Sequence, residues 1–328
     1  MRIVVAPDKF KGTLSAAACA DAIAAPLRAA GHDVVVRPMA DGGEGTLDAL
    51  GGANRRTTVS GPLGDPVEAG WQLSGRRAVI EMARASGLEL VGGAEGNDAV
   101  GASTHGTGEL LAAVLDAGAT DIVVGVGGSA TTDGGYGALE ALYPLHRLRG
   151  VRLTVACDVH THFVDAARTF APQKGATSTQ VRLLERRLER LVQVYRDEYG
   201  VDVSELDGGG AAGGLAGALA CVGAELVSGF DLVAERLELD SDVESADLVV
   251  TGEGFLDEES FSGKVVGGMV DMARHFRVPV VAVVGECFDG MEERVPTVSL
   301  VERFGRAKAL ADPASLIAEV APELPNLA

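Results

Sequence analysis

Acids, lysines and glycines gather in five short segments of this chain, a mixture suited to holding phosphate groups and a hard cation. The first, Asp8-Lys9-Phe10-Lys11-Gly12-Thr13, sets a carboxylate and two ammonium groups beside a glycine; a solvated turn would read the same way. In the second, Asp41-Gly42-Gly43-Glu44-Gly45-Thr46, the glycines let backbone approach a ligand while the acids reach a cation or a hydroxyl. A helix-capping loop is its plainer explanation. The third runs from Gly125 to Gly135 through Gly127, Gly128, Ser129, Ala130, Thr131, Thr132, Asp133 and Gly134. It offers successive N–H groups and three hydroxyls, which suits a phosphate cradle at a helix N-terminus. Gly125, Gly127 and Ala130 also satisfy GxGxxA. No acid stands at the end of a following strand about 20 residues on to hold a ribose, so phosphate ranks above a dinucleotide.

The fourth segment, Gly208 to Leu215 with Gly213 and Gly214, reads equally as a second anion cradle or as small residues where helices pack closely. The fifth joins Thr251-Gly252-Glu253-Gly254 and Asp257 to Ser262-Gly263-Lys264 at the start of a helix. Lys264 resembles a phosphate-binding lysine, but Glu258 replaces the first glycine of a P-loop and Val265 its Ser/Thr, so the Walker pattern fails. His160 and His162 form an HxH pair with no third ligand nearby, which favours a surface role. Neither a GxSxG elbow nor a Cys/His pairing points to covalent catalysis.

The elements that must position these segments follow an α/β alternation, in which ligands gather beyond the C-terminal ends of parallel strands. A strand is expected at 2–6, a helix at 15–30 capped by Ser15 and stopped by Gly31, and a strand at 33–37. Residues 57–83 are punctuated by turns and read as short antiparallel strands. A helix at 106–117, strands at 121–126 and 151–156, and an exposed amphipathic helix at 179–195 follow. Near the end come a strand at 247–251, a helix at 264–276 and a strand at 278–284, with 322–328 expected to fray. Two βαβ units at the chain ends with a different pattern between them predict two α/β domains with mainly parallel sheets. One is discontinuous, built from both ends, and the other is inserted.

Composition narrows the partners. Hydrophobic residues make up 47% and charged residues 23%, a globular balance. A net charge of −19 argues against nucleic acid or an anionic membrane, and obliges any polyphosphate to find local help from lysines, N–H groups or a divalent cation. The start lacks the pattern of a signal peptide, no apolar stretch reaches a membrane span, and the four cysteines are scattered, so the expected compartment is the cytoplasm.

Several of these segments, with Glu81-Met82-Ala83, Ala85-Ser86-Gly87-Leu88, Ala156-Cys157-Asp158-Val159 and Ala171-Pro172-Gln173-Lys174-Gly175-Ala176, stand in the order seen in bacterial type I glycerate kinases, which the chain resembles from residue 3 to about 285. The resemblance implies ATP-dependent phosphorylation of glycerate at the 2-hydroxyl, giving 2-phosphoglycerate, in a cleft between the domains. The layout expected is a Rossmann-like domain from 1–62 and 240–328, with a flavodoxin-like domain, 63–239, inserted. In-line phosphoryl transfer needs alignment and charge neutralisation. Mg²⁺ is therefore assigned to ATP oxygens and to acids among Asp8, Asp41, Asp133 and Asp257, with Asp41 and Asp257 foremost. Lys11 and Lys264 would neutralise phosphate or carboxylate, and Asp133 or Asp158 would orient or deprotonate the hydroxyl. Asp41, Gly42, Gly43, Glu44, Gly127, Gly128, Ser129, Thr131, Gly213, Gly214 and Glu253 would contact nucleotide or substrate. A homodimer is left open.

Two stretches depart from the family. Tyr143–Gly150 is shorter than usual, and His160–Asp165 stands where an Asn-Pro-Leu stretch is typical. Both bear on substrate identity near Asp158. A kinase of another small hydroxy acid, and a non-catalytic nucleotide-binding relative, are the alternatives; a dinucleotide oxidoreductase ranks third.

Overall fold

Two sheets organise the chain in the computed structural model, which describes residues 1–288 and 290–327. The first belongs to a unit made of residues 1–41 and 229–328. Its strands are β1 (Arg2–Val5), β2 (Asp33–Val36), β9 (Leu248–Leu256), β10 (Val280–Cys287) and β11 (Thr297–Ser299). They are all parallel, in the order β11-β10-β9-β1-β2. Their Val and Ile runs are buried, as parallel strands covered on both faces require. Helices Ala16–Ala29 and Pro313–Val320 cover one face through Ile23, Leu27 and Ile317, while Val266 and Val270 of helix Val265–Phe276 pack with Ala282 and Val284 in a separate cluster. The order reverses between β1 and β9. That switch point is where an open α/β sheet leaves a crevice beyond its strand ends.

The second unit, residues 42–228, carries a six-stranded mixed sheet in simple sequence order. Here β3 (Arg55–Ser60), β4 (Pro66–Ser74) and β5 (Arg77–Glu81) are antiparallel neighbours. From β5 onward, β6 (Asp121–Gly125), β7 (Arg152–Ala156) and β8 (Glu225–Val227) run parallel. Helices His105–Asp116, Tyr136–Leu142 and Leu215–Cys221 pack on this sheet through Leu110, Leu111, Val114, Leu142, Leu215 and Leu219. The amphipathic helix is Ser178–Tyr199, opened by a capping box between Thr177 and Gln180, and its buried Leu184, Leu188 and Tyr195 form a further core with Phe163.

Several readings change. The units part at Asp41/Gly42 and Ser228/Gly229, against the 62/63 and 239/240 taken from the sequence. Continuous pairing with β4 carries 55–60 into the second sheet. β9 extends to Leu256 because Phe255 and Leu256 pair with Glu286 and Cys287, so Glu253 and Gly254 lie in a strand rather than a loop. The C-terminus is not frayed through 327: residues Ala321–Asn326 form a 3-10 segment whose Ala321 and Leu324 are fully buried in the first unit's core. Among the described residues, no helix is long and apolar enough to cross a membrane.

Candidate active site

In the first unit the chemistry gathers at the β1/β9 switch point. Asp8 follows β1 and is held there because its N–H donates to Gly252 O at 2.8 Å, beside Glu253 on β9. Lys9 Nζ stands 3.9 Å from Asp8 Oδ1 and 3.8 Å from Asp41 Oδ1. Burial raises the Asp8 carboxyl to about 6; Lys9 pulls it down and Asp41 pushes it up again. Glu253 is pushed further, to about 8, by burial, with a Ser260 hydrogen bond opposing and Asp8 adding to the rise. Among the described residues, its Oε1 is buried without a hydrogen-bond partner. Lys264, at the N-cap of helix Val265–Phe276, lowers both carboxyls electrostatically and reaches Glu259 at 3.0 Å.

These are hard oxygen donors gathered at one point, where Asp8 and Asp41 repel each other and, among the described residues, Glu253 Oε1 has no hydrogen-bond partner. That fits a Mg²⁺ ion, which binds through one or two carboxylates and otherwise keeps water and phosphate oxygens. Among the described residues, no group of three or more His, Cys, Asp or Glu forms a complete protein cage for a metal. Asp257, expected as a ligand, caps a short 3-10 turn and accepts from Ser260 N at 3.1 Å and Ser260 Oγ at 3.2 Å. Lys11 is exposed and lines a separate small cavity of about 20 Å³ with Phe10, Phe255, Glu286 and Arg306. The lysines at the acids are Lys9 and Lys264.

In the second unit, two glycine loops lean on one another. A Cβ on Gly127 would meet Gly43 Cα at 2.5 Å, and one on Gly42 would meet Ala156 at 2.9 Å, so the glycines are there for close backbone approach. Glu81, at the end of β5 and 1% exposed, anchors this arrangement. Its Oε1 accepts from Gly45 N at 2.8 Å and Leu47 N at 2.9 Å, and its Oε2 from Arg84 at 3.0 Å. Glu44 is exposed beside them.

The Gly125–Gly135 segment runs into a helix N-terminus: Gly135 is the N-cap of helix Tyr136–Leu142, one turn beyond the Gly127–Ser129 stretch. Asp133 occupies the intervening turn. Its Oδ2 accepts from Thr104 N and Thr104 Oγ1, each at 2.8 Å, and its Oδ1 from Gly135 N at 3.0 Å. Those bonds brace the starts of two helices. Gly213 and Gly214 are buried against Thr131, Gly134 and Phe163, and Gly134 N donates to Gly213 O at 3.0 Å. Their contacts in the structure are packing contacts that carry the Thr131–Gly134 turn.

Asp158 is half-buried just past β7, next to a Cys157 thiol that burial raises to about 11. His160 pairs with Asp207 at 2.8 Å and His162 approaches Glu205 at 3.8 Å, both on the surface. Sequence reasoning gave Lys9, Glu81 and Lys174 no individual role. Glu81 and Lys174 are charged residues inside otherwise small or apolar motifs, and that was the available signal.

Comparison with known proteins places this geometry. The model of the glycerate kinase family matches residues 3–143 and 144–327, two stretches that abut within the shortened Tyr143–Gly150 segment. The chain is 40% identical to glycerate 2-kinase of Escherichia coli K12 over 88% of its own length and 86% of that protein's. It is also 40% identical to glycerate kinase of Halalkalibacterium halodurans, over 88% and 87% of the two lengths. A crystal structure assigned by name to glycerate kinase 2 of Salmonella typhimurium LT2 superposes with a TM-score of 0.81 at 35% identity, covering 99% of this chain and 98% of that one. With both sheets and every glycine segment inside these matches, the chain belongs to the glycerate kinase family of phosphotransferases.

Proposed function

We propose that the protein transfers the γ-phosphoryl group of ATP to the 2-hydroxyl of glycerate, releasing ADP and 2-phosphoglycerate. The observation that carries this reading is the family match across residues 3–327. The acids and lysines at the β1/β9 switch point, and the Gly127–Gly128 loop with its exposed Gly128, supply the groups such a transfer needs.

When bound, Mg²⁺ would neutralise charge on the phosphate oxygens; Asp8, Asp41 and Asp257 are the residues that would hold it. Lys9 and Lys264 offset the negative charge of the same acids, so that a polyphosphate can approach them. Asp158, half-buried at the end of β7, is the acid proposed to orient the attacking hydroxyl. The braced Asp133 holds the loop. Phosphoryl transfer asks mainly for alignment and electrostatics, so no covalent protein intermediate enters.

The test is substrate-dependent ADP release with ATP, Mg²⁺ and D-glycerate, the phosphate position being read by phosphorus and carbon NMR. Phosphate on C2 supports the reading, and phosphate on C3 corrects the hydroxyl. The shortened Tyr143–Gly150 and altered His160–Asp165 segments favour one rival, a kinase of another small hydroxy acid. Turnover of lactate, tartronate or malate in preference to D-glycerate would replace the present substrate.

A further inference from the structure

Lys174 is buried to 3% exposure in the second unit, below the Gly127–Thr131 loop. Its Nζ donates to Ser129 Oγ at 2.7 Å and to Thr131 O at 2.6 Å, both neutral oxygens. The acid that acts on it electrostatically, Asp133, spends its oxygens on Thr104 and Gly135. The Phe170 ring lies 6.0 Å from the ammonium. Asn97 clamps the backbone on either side, donating to Lys174 O at 2.9 Å and Ala130 O at 3.0 Å. A buried ammonium without an ion pair is costly, and burial lowers this one to about 7.

Directly above, the N–H groups of Gly127, Gly128 and Ser129 find no acceptor among the described residues, and Gly128 is exposed. Because Ser129 Oγ accepts from the lysine, its own proton is free to point away from it. Among the described residues, these donors and the ammonium have no anion within hydrogen-bond distance to receive them.

We propose that Lys174 is the positioning residue of this loop, turning the Ser129 hydroxyl outward and supplying the charge against which a substrate oxyanion docks on the Gly127–Ser129 N–H groups. The oxyanion is a phosphate or a carboxylate; its identity as ATP or glycerate rests on the function proposed above, while the docking does not. Anion arrival stabilises the charged lysine, so binding takes up a proton above neutral pH.

The experiment uses the full chain and calorimetric titration at pH 8 in two buffers of different ionisation heat. The ligands are the β,γ-methylene analogue of ATP with Mg²⁺ and, separately, D-glycerate. The ligand that docks here takes up a fraction of a proton, approaching one. In Lys174→Met the uptake disappears and that ligand's affinity falls at least about tenfold, the other's staying within about twofold. Ser129→Ala, which leaves the charge in place, keeps the uptake and loses a few-fold in affinity. Uptake with the ATP analogue assigns the loop to phosphate, and uptake with D-glycerate assigns it to carboxylate. Binding of both ligands without proton exchange, or a folded Lys174→Met with both affinities unchanged, overturns the proposal. Should Lys174→Met fail to fold, proton uptake by the wild-type chain and the Ser129→Ala affinities decide. Uptake with the analogue in a chain that does not phosphorylate D-glycerate keeps this inference and sinks the substrate reading alone.

Discussion

Asp133 brings a carboxylate into a pocket where Ser103, Thr104 and Gly135 all donate to it, at 2.8 to 3.4 Å. An amide in its place would turn an N–H toward one of those donors. Asp133→Asn should therefore lower stability by about 3 kcal/mol, read by denaturant titration. A variant of unchanged stability that loses turnover would instead give Asp133 the role of catalytic base. Lys174 makes a second prediction, on pH. Folded, it holds its proton only to about 7, against 10.5 ordinarily. Between those values the unfolded chain binds a proton that the folded chain does not, so stability rises with pH across the window. The burial cost is at full size below about 7. Denaturant midpoints at pH 7 and 9.5 should show this rise in the wild type and its loss in Lys174→Met.

At the scale of elements, the two glycine loops are held by opposite devices. Gly127 is needed for space: a methyl group there runs into Gly43 Cα, so Gly127→Ala should cost about 2 kcal/mol and raise KM for whichever substrate the loop holds. Gly12, whose φ is +79° but whose Cβ would meet nothing within 4 Å, offers the contrast. Gly12→Ala should cost only about 1 kcal/mol, the price of a left-handed backbone. The Gly42–Gly45 loop is held by charge, since Glu81 satisfies two otherwise orphaned N–H groups around the start of helix Thr46–Ala49. Glu81→Gln should lower stability by about 1–2 kcal/mol. Thermal melts of the three variants, run beside KM measurements, check these outcomes together.

At the scale of the molecule, one unit is contiguous in sequence and the other is not. Residues 42–228 contain a whole sheet and its own helices, so the isolated fragment should unfold cooperatively in urea. A broad, uncooperative transition would show that it depends on the rest of the chain. The alternation of Val-rich runs with helical patterns was enough to reveal two α/β layers and a discontinuous domain, because period and turn residues are local properties. The order of long motifs was enough to reveal the family. Strand ends were not legible: β9 continues through Glu253 and Gly254 only because β10 offers hydrogen bonds across a 31-residue separation. Nor was the difference between Lys9 and Lys11, or between Asp133 as a base and Asp133 as a brace. Residue type shows what a side chain can do. Burial and the donors around it, set by segments far apart in the chain, decide what it does, and those exist only once the tertiary structure has formed.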